Sequence, residues 1–253
     1  MSVVPVPVAL DGRQFEGSVD AFYDRMRAGA AATTSQPSPG AFLAAYENLA
    51  RHGATSILSL HLDSRVSGVT ASAEIATRDA SIPVTVVDLP TVSYGVALCI
   101  RAARGELVDG ATTTQAAATA RQLAVELDNV FVARAGPRGR IPAIDEWTVL
   151  RFADGAAMRV SSQTTIEDAT EEMARRIAGS GAPNQVAVGH ASRDVEAAAD
   201  RLAHDLLRAG VAPVGRYRVE PSVGAHIGPD SFGAFWRPAG ANLSSSSRRS
   251  STR

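Results

Sequence analysis

Two spacings alternate along this chain. Short apolar runs, as at 55–62 (Thr-Ser-Ile-Leu-Ser-Leu-His-Leu) and 83–88 (Pro-Val-Thr-Val-Val-Asp), read as buried strands. Similar runs lie at 3–10, 129–134 and 185–190, with further strands around Met158 and Tyr217. Between them apolar residues recur every three or four positions, as Phe42, Leu43, Tyr46, Leu49 and Ala50 do before Gly53. The same spacing predicts helices over 18–28 (capped by Ser18 and stopped by Gly29), 69–78, 93–104, 114–126, 167–178 and 195–209. Strands alternating with helices of this length predict an α/β fold, with two α/β domains and largely parallel sheets. Glycine and charge interrupt the apolar pattern at 105–110. The division expected is therefore an N-terminal domain over 1–105 and a C-terminal domain over 106–241. Residues 242–253 are serine- and arginine-rich without an apolar face, and are expected to be disordered.

Composition narrows the classes more than it selects among them. A chain of 253 residues that is 45% hydrophobic can fill one large or two modest cores. The net charge of −1 gives no global field toward nucleic acid or an anionic membrane. Three arginines at 134, 138 and 140, with no interleaved aromatic residue, do not make a nucleic-acid surface. The single cysteine, Cys99, excludes an internal disulfide and reads as a packed core thiol; no zinc-type cluster is present. No leader-like segment and no run of 18 apolar residues occurs, so a cytoplasmic protein without an integral membrane segment is expected.

Candidate chemistry concentrates in three stretches. In Thr33-Thr34-Ser35-Gln36-Pro37-Ser38-Pro39-Gly40, Ser38 suits an N-cap and Pro39 the first helical position. Thr34 and Ser35 then stand just ahead of a helix, where hydroxyls and free N–H groups can meet a carboxylate or phosphate. Ser64-Arg65-Val66-Ser67-Gly68 repeats the arrangement of strand, small-residue loop and helix start. Gly224-Ala225-His226-Ile227-Gly228-Pro229 sets a histidine in a glycine-flanked loop ahead of the apolar run 232–236. Each has a plainer reading: the Thr34–Ser35 loop as an ordinary helix cap, Ser67 as a helix cap and His226 as a structural histidine; Arg140, in the Gly/Pro-rich loop between the second and third stretches, can likewise be a surface residue.

Taken in order, these stretches resemble the DegV family of bacterial lipid-binding proteins. The family pattern is a T-S-Q-P-S-P loop, an L-S-G loop, a G-G-R-I segment and a terminal H-x-G-P-G loop. Here they stand as Thr34 to Pro39, Val66-Ser67-Gly68, Arg138-Gly139-Arg140-Ile141 and His226-Ile227-Gly228-Pro229-Asp230. The resemblance covers nearly the whole chain, from Val3 to about Trp236. It implies a cytoplasmic two-domain protein holding one long-chain fatty acid between its domains, as the carrier subunit of a fatty-acid kinase. Thr34, Ser67 and His226 match the residues at the carboxylate, and Arg140 matches an arginine near the same head group. Ser35 and Gly68 are neighbours. No catalytic residue, metal or cofactor is implied beyond the fatty acid, and the kinase would be a separate subunit.

Those residue types suit that ligand. A buried carboxylate needs several donors, and charge-assisted bonds are the strong kind. Each buried methylene adds roughly 0.8 kcal/mol, so the tail carries retention and the head group fixes orientation. A second class is an acyl-transfer enzyme with Ser67 or Thr34 as nucleophile and His226 as base. Against it, there is no G-x-S-x-G elbow and no acid evidently placed to orient the histidine.

The chain departs from the family pattern in several places. It opens at what reads as the family's second strand, from a start placed too far downstream or in a truncated copy that no longer binds lipid. The segment after Ile141 is short, and a further family arginine falls near Ser162 or Gln163, which puts kinase pairing in doubt more than lipid binding. Asp63 and Val69 replace the usual serine and threonine, and Asp230 a glycine. Asp63 is expected to face solvent or pair with Arg65.

Overall fold

A computed structural model of the chain describes residues 1–133, 146–181, 183 and 186–238. The order is β1 (Val8–Leu10), β2 (Arg13–Gln14), α1 (Val19–Arg27), β3 (Ala32–Thr34), α2 (Pro39–Arg51), β4 (Ile57–His61), α3 (Val69–Ala76), β5 (Val84–Asp88), α4 (Tyr94–Val108) and α5 (Thr113–Glu126). It continues with β6 (Asp128–Ala133), β7 (Trp147–Ala153), β8 (Ala156–Gln163), α6 (Ile166–Gly179), β9 (Val186–His190), α7 (Glu196–Arg208), β10 (Pro213–Arg218), α8 (Pro221–Ile227) and β11 (Phe232–Trp236).

The local signals act as their chemistry requires. Ser18 and Ser38 cap α1 and α2, each accepting a backbone N–H bond at 3.2 Å. Thr112 and Gln115 close a capping box on α5.

The fold is α/β, but the sheets are less parallel than the spacing predicts. β4 and β5 pair in parallel, as do β9 and β10. The six-stranded sheet, ordered β10-β9-β11-β6-β7-β8, is otherwise antiparallel. β1 pairs antiparallel with both β2 and β3. The reason lies in elements the spacing does not reveal. β7 and β8 form a hairpin around Asp154 and Gly155, and β11 returns by α8 between β9 and β6.

Residues 105–110 occupy the end of α4 and the turn into α5, and both helices share one core with Val87 and Leu89 from β5 and its loop. α6 and α7 cover one face of the six-stranded sheet over Val130, Val132, Val149 and Val188. The first and last parts of the chain meet twice. Phe235 and Tyr217 pack into the α4–α5 core, and Phe22 and Tyr23 of α1 pack with Ala191, Val219 and residues of α8.

Cys99 sits in the α4–α5 core, where burial pushes its thiol up to about 12; it is a packing residue. His52 closes α2 at the surface, and His190 ends β9 in the interior. His61 closes β4 in the core, its Nε2 2.8 Å from Ser59 Oγ, which lies 2.9 Å from the Tyr46 hydroxyl. Burial holds the His61 imidazole down at about 4, against the pull of Asp88. The unfolded chain takes a proton near pH 6.5 that the folded protein refuses until about pH 4. This contribution to stability is therefore intact above about pH 6.5 and is lost as pH falls toward 4. Urea unfolding at pH 7 and pH 5 is expected to show a smaller stability loss in His61→Gln than in the native chain. An equal loss in both would place the titration elsewhere.

Candidate functional site

Thr34 is the last residue of β3, a strand too short to register as a hydrophobic period. Its register is fixed by pairing with Val8, and the Ser35 N–H donates to the Pro7 carbonyl at 3.1 Å. His226 lies in the last turn of α8, which replaces the loop expected there. Pro221 opens that helix and Gly228, at φ 86°, ends it. α8 packs on β3 and β1, and this brings His226 Nε2 to 3.0 Å from Thr34 Oγ1 across 192 positions of sequence.

Two side-chain arrangements hold α8 in place. Tyr23 lies fully buried beneath it, donating from its hydroxyl to the Val219 carbonyl at 2.7 Å. A Cβ added at Gly224 would lie 2.2 Å from that hydroxyl, so the helix rests on the phenol ring where only glycine fits. Beyond α8, Arg27 bonds Asp230 at 2.6 Å, Asp194 at 2.6 Å and Ser192 Oγ at 2.9 Å. Asp230, standing where the family pattern has glycine, thus has a partner supplied by α1.

The second loop follows β4. Ser67 Oγ accepts from the Val69 N–H at 3.4 Å, and Gly68 occupies the N-cap position of α3. Gln36 links the first two loops: its Oε1 would lie 1.8 Å from a Cβ at Gly68. Sequence reasoning left Gln36 out of the site, although it stands inside the Thr34 to Pro39 motif. Asp63 is buried and paired, as one of its two expected fates required. Arg65 donates to it through Nε at 2.9 Å and Nη2 at 2.6 Å, with its own N–H adding a third bond at 2.9 Å. These bonds hold the Asp63 carboxyl below the usual range, and the guanidinium offsets a charge that would otherwise oppose an anionic ligand. Arg65 also contacts the β7–β8 turn, 3.7 Å from Asp154 and directly against Gly155.

The structure therefore brings Thr34 and His226 together, and joins the Thr34 and Gly68 loops through Gln36. Ser35 is exposed beside Thr34. Arg140 lies outside the described residues. A cavity of about 350 Å³, lined by Asp128, Arg151, Arg176 and Trp236 among others, opens on the α6 side and includes none of the nominated residues. Among the described residues no group of three or more His, Cys, Asp or Glu is placed to hold a metal ion, and no helix is long and apolar enough to cross a membrane.

A histidine and a hydroxyl are thus brought together by sheet and helix, beside two loops at strand ends of an α/β fold. The chain belongs to the DegV family: the model described as "Uncharacterised protein, DegV family" matches residues 1–135. A DegV domain-containing protein of Streptomyces coelicolor is 30% identical over 256 residues, covering 92% of this chain and 89% of its own length. A Thermotoga maritima protein described as having a fatty acid binding function shares the fold at TM-score 0.81 and 24% identity, over 92% of this chain and 90% of that one. A fatty-acid-binding DegV family protein from Thermus thermophilus gives a TM-score of 0.80 at 25% identity, over 93% and 91%.

Proposed function

We propose that this chain binds one long-chain fatty acid. Its carboxylate is held by Thr34, Ser67 and His226, with Ser35 and Gly68 beside them and Arg140 assigned to the same head group by the family likeness alone, and its acyl chain lies in an apolar channel between the N- and C-terminal parts. The observation that carries this reading is the Thr34–His226 contact at 3.0 Å, which joins the first and last motifs at one point. A threonine hydroxyl backed by an imidazole can donate to a carboxylate oxygen while the ring supplies or shares the proton behind it. The fatty acid binding described for the Thermotoga and Thermus proteins supports the same ligand, as does a DegV family protein of Eubacterium eligens loaded with heptadecanoic acid.

On this reading the protein is a non-catalytic cytoplasmic carrier, and presentation of the carboxylate to a separate kinase subunit is carried by the family likeness. Of the two nucleophiles that an acyl-transfer enzyme would use, His226 Nε2 meets Thr34 and not Ser67, whose Oγ accepts from the Val69 N–H; turnover of an ester separates that reading from the carrier. A hydrolase would release fatty acid from an ester reporter; none is expected here.

Since the tail supplies most of the affinity, Thr34→Val is expected to weaken binding by about 1 kcal/mol, roughly fivefold, while the ligand stays bound. The carboxyl resonance of ¹³C-labelled palmitate should shift as its hydrogen-bonding changes. A variant emptied of lipid by this one substitution would contradict the division of labour between head and tail.

A further inference from the structure

Two hydroxyls in the six-stranded sheet have no hydrogen-bond partner among the described residues. Thr148 Oγ1 on β7 and Ser162 Oγ on β8 are both buried and unpaired there, and Thr148 as a residue is fully enclosed. The two are register partners on adjacent antiparallel strands, so their side chains project from the same face. That face is opposite to the one under α6 and α7: Val149 serves the helical core and pairs with Ser161, Val160 is the extra residue of a bulge packed on the same core, and Thr148 and Ser162 point the other way. The same face carries Phe235, which packs against Gly95 and the core of α4 and α5. The hydroxyl pair therefore faces the side where the N- and C-terminal parts meet.

The pair also lies at the His226 end of the sheet. Thr148 pairs with Ala133, one step beyond the Val132–Phe232 pairing that begins β11. Ser231, just before β11, donates from its hydroxyl to the Ile227 carbonyl at 2.6 Å, next to His226. At a strand spacing of about 4.8 Å, Thr148 is two strands from Ser231, about 10 Å away, and Ser162 is one strand further. On the fatty-acid reading the carboxylate lies beyond Ser231, at His226, so the hydroxyl pair stands alongside the acyl chain and not at the head group.

Buried hydroxyls without partners are costly, and a pair on one face of a ligand-binding sheet has a use when the ligand supplies the missing oxygen. We propose that Thr148 and Ser162 form a second hydrogen-bonding station for the ligand, selecting fatty acids with a hydroxyl or other oxygen substituent along the acyl chain over unsubstituted ones. The proposal rests on the fatty-acid reading above and narrows its substrate class.

The test uses the delipidated full chain, titrated with stearate and a positional series of hydroxystearates, beside the Thr148→Val/Ser162→Ala variant. At least one positional isomer is expected to bind the native chain about tenfold tighter than stearate, the value of one well-made hydrogen bond. The double variant is expected to lose that preference and to bind stearate at least as well as the native chain. Stearate bound with no isomer preferred, or a preference that survives in the variant, overturns the station and leaves the fatty-acid reading standing. Failure of every acid to bind overturns both. A second readout needs no ligand: Thr148→Val replaces an unpaired hydroxyl by a methyl of similar shape, so the ligand-free variant should melt at a higher temperature than the native chain. A lower melting temperature would show that the hydroxyl serves the fold and would overturn the proposal.

Discussion

Tyr23→Ala is expected to destabilise the protein by about 3–5 kcal/mol, the range for removing a large aromatic side chain from a filled core. Tyr23 is fully buried, and its ring lies edge-on to Phe22 at 5.2 Å between centroids. Its hydroxyl gives the Val219 carbonyl a buried hydrogen bond, which the substitution would leave unmade. The consequence reaches the site because the same ring supports α8 under Gly224 and so sets the height at which His226 meets Thr34. Urea unfolding followed by tryptophan fluorescence measures the loss. A change below about 1 kcal/mol would mean that the helix does not depend on this ring.

Gly224→Ala approaches the same contact from the other side. The added Cβ would stand 2.2 Å from the Tyr23 hydroxyl and 2.7 Å from its ring, and the phenol is locked by its bond to Val219. Helix or ring must move, and overpacking of this kind costs about 1–3 kcal/mol. Fatty-acid orientation should suffer with it, because His226 is two residues along the same helix. The two substitutions touch one contact and should not add. The space left by Tyr23→Ala accommodates the methyl group that Gly224→Ala introduces, so the double variant is expected to be more stable than the sum of the single losses implies. Strict additivity in the double-mutant cycle would contradict the contact.

Much of the fold is legible in the chain because its signals are local. Ser18, Ser38 and Pro39 mark helix starts by chemistry confined to one turn, and the runs around 57–61 and 84–88 are apolar enough to be read as strands. What is not legible depends on distance. β3 has three residues, and its edges are set by pairing with β1 rather than by its own composition. The hairpin of β7 and β8 turns on Asp154 at φ 52° and Gly155 at φ 76°, a turn visible in sequence, but pairing of β7 with β6 is what makes the sheet antiparallel there. α8 is short and carries glycines, and it rests on Tyr23, whose bond to Val219 spans 196 positions of sequence.

The site divides along the same line. Thr34, Ser67, Gly68 and His226 could be nominated because they sit in compact motifs. Gln36 lies in one of those motifs and is open to the same reasoning, but Tyr23 and Arg27 are not, since they act through contacts that sequence spacing does not encode. Asp230 shows the converse: it departs from the family pattern, and the structure answers it with Arg27.

Native mass spectrometry of the purified full chain, followed by organic extraction, tests fatty-acid binding most directly. The expected spectrum is the chain plus the mass of one fatty acid, with a single stoichiometric long-chain acid recovered in the extract. A folded chain that carries no lipid, and stays empty after incubation with palmitate and with oleate, would contradict it.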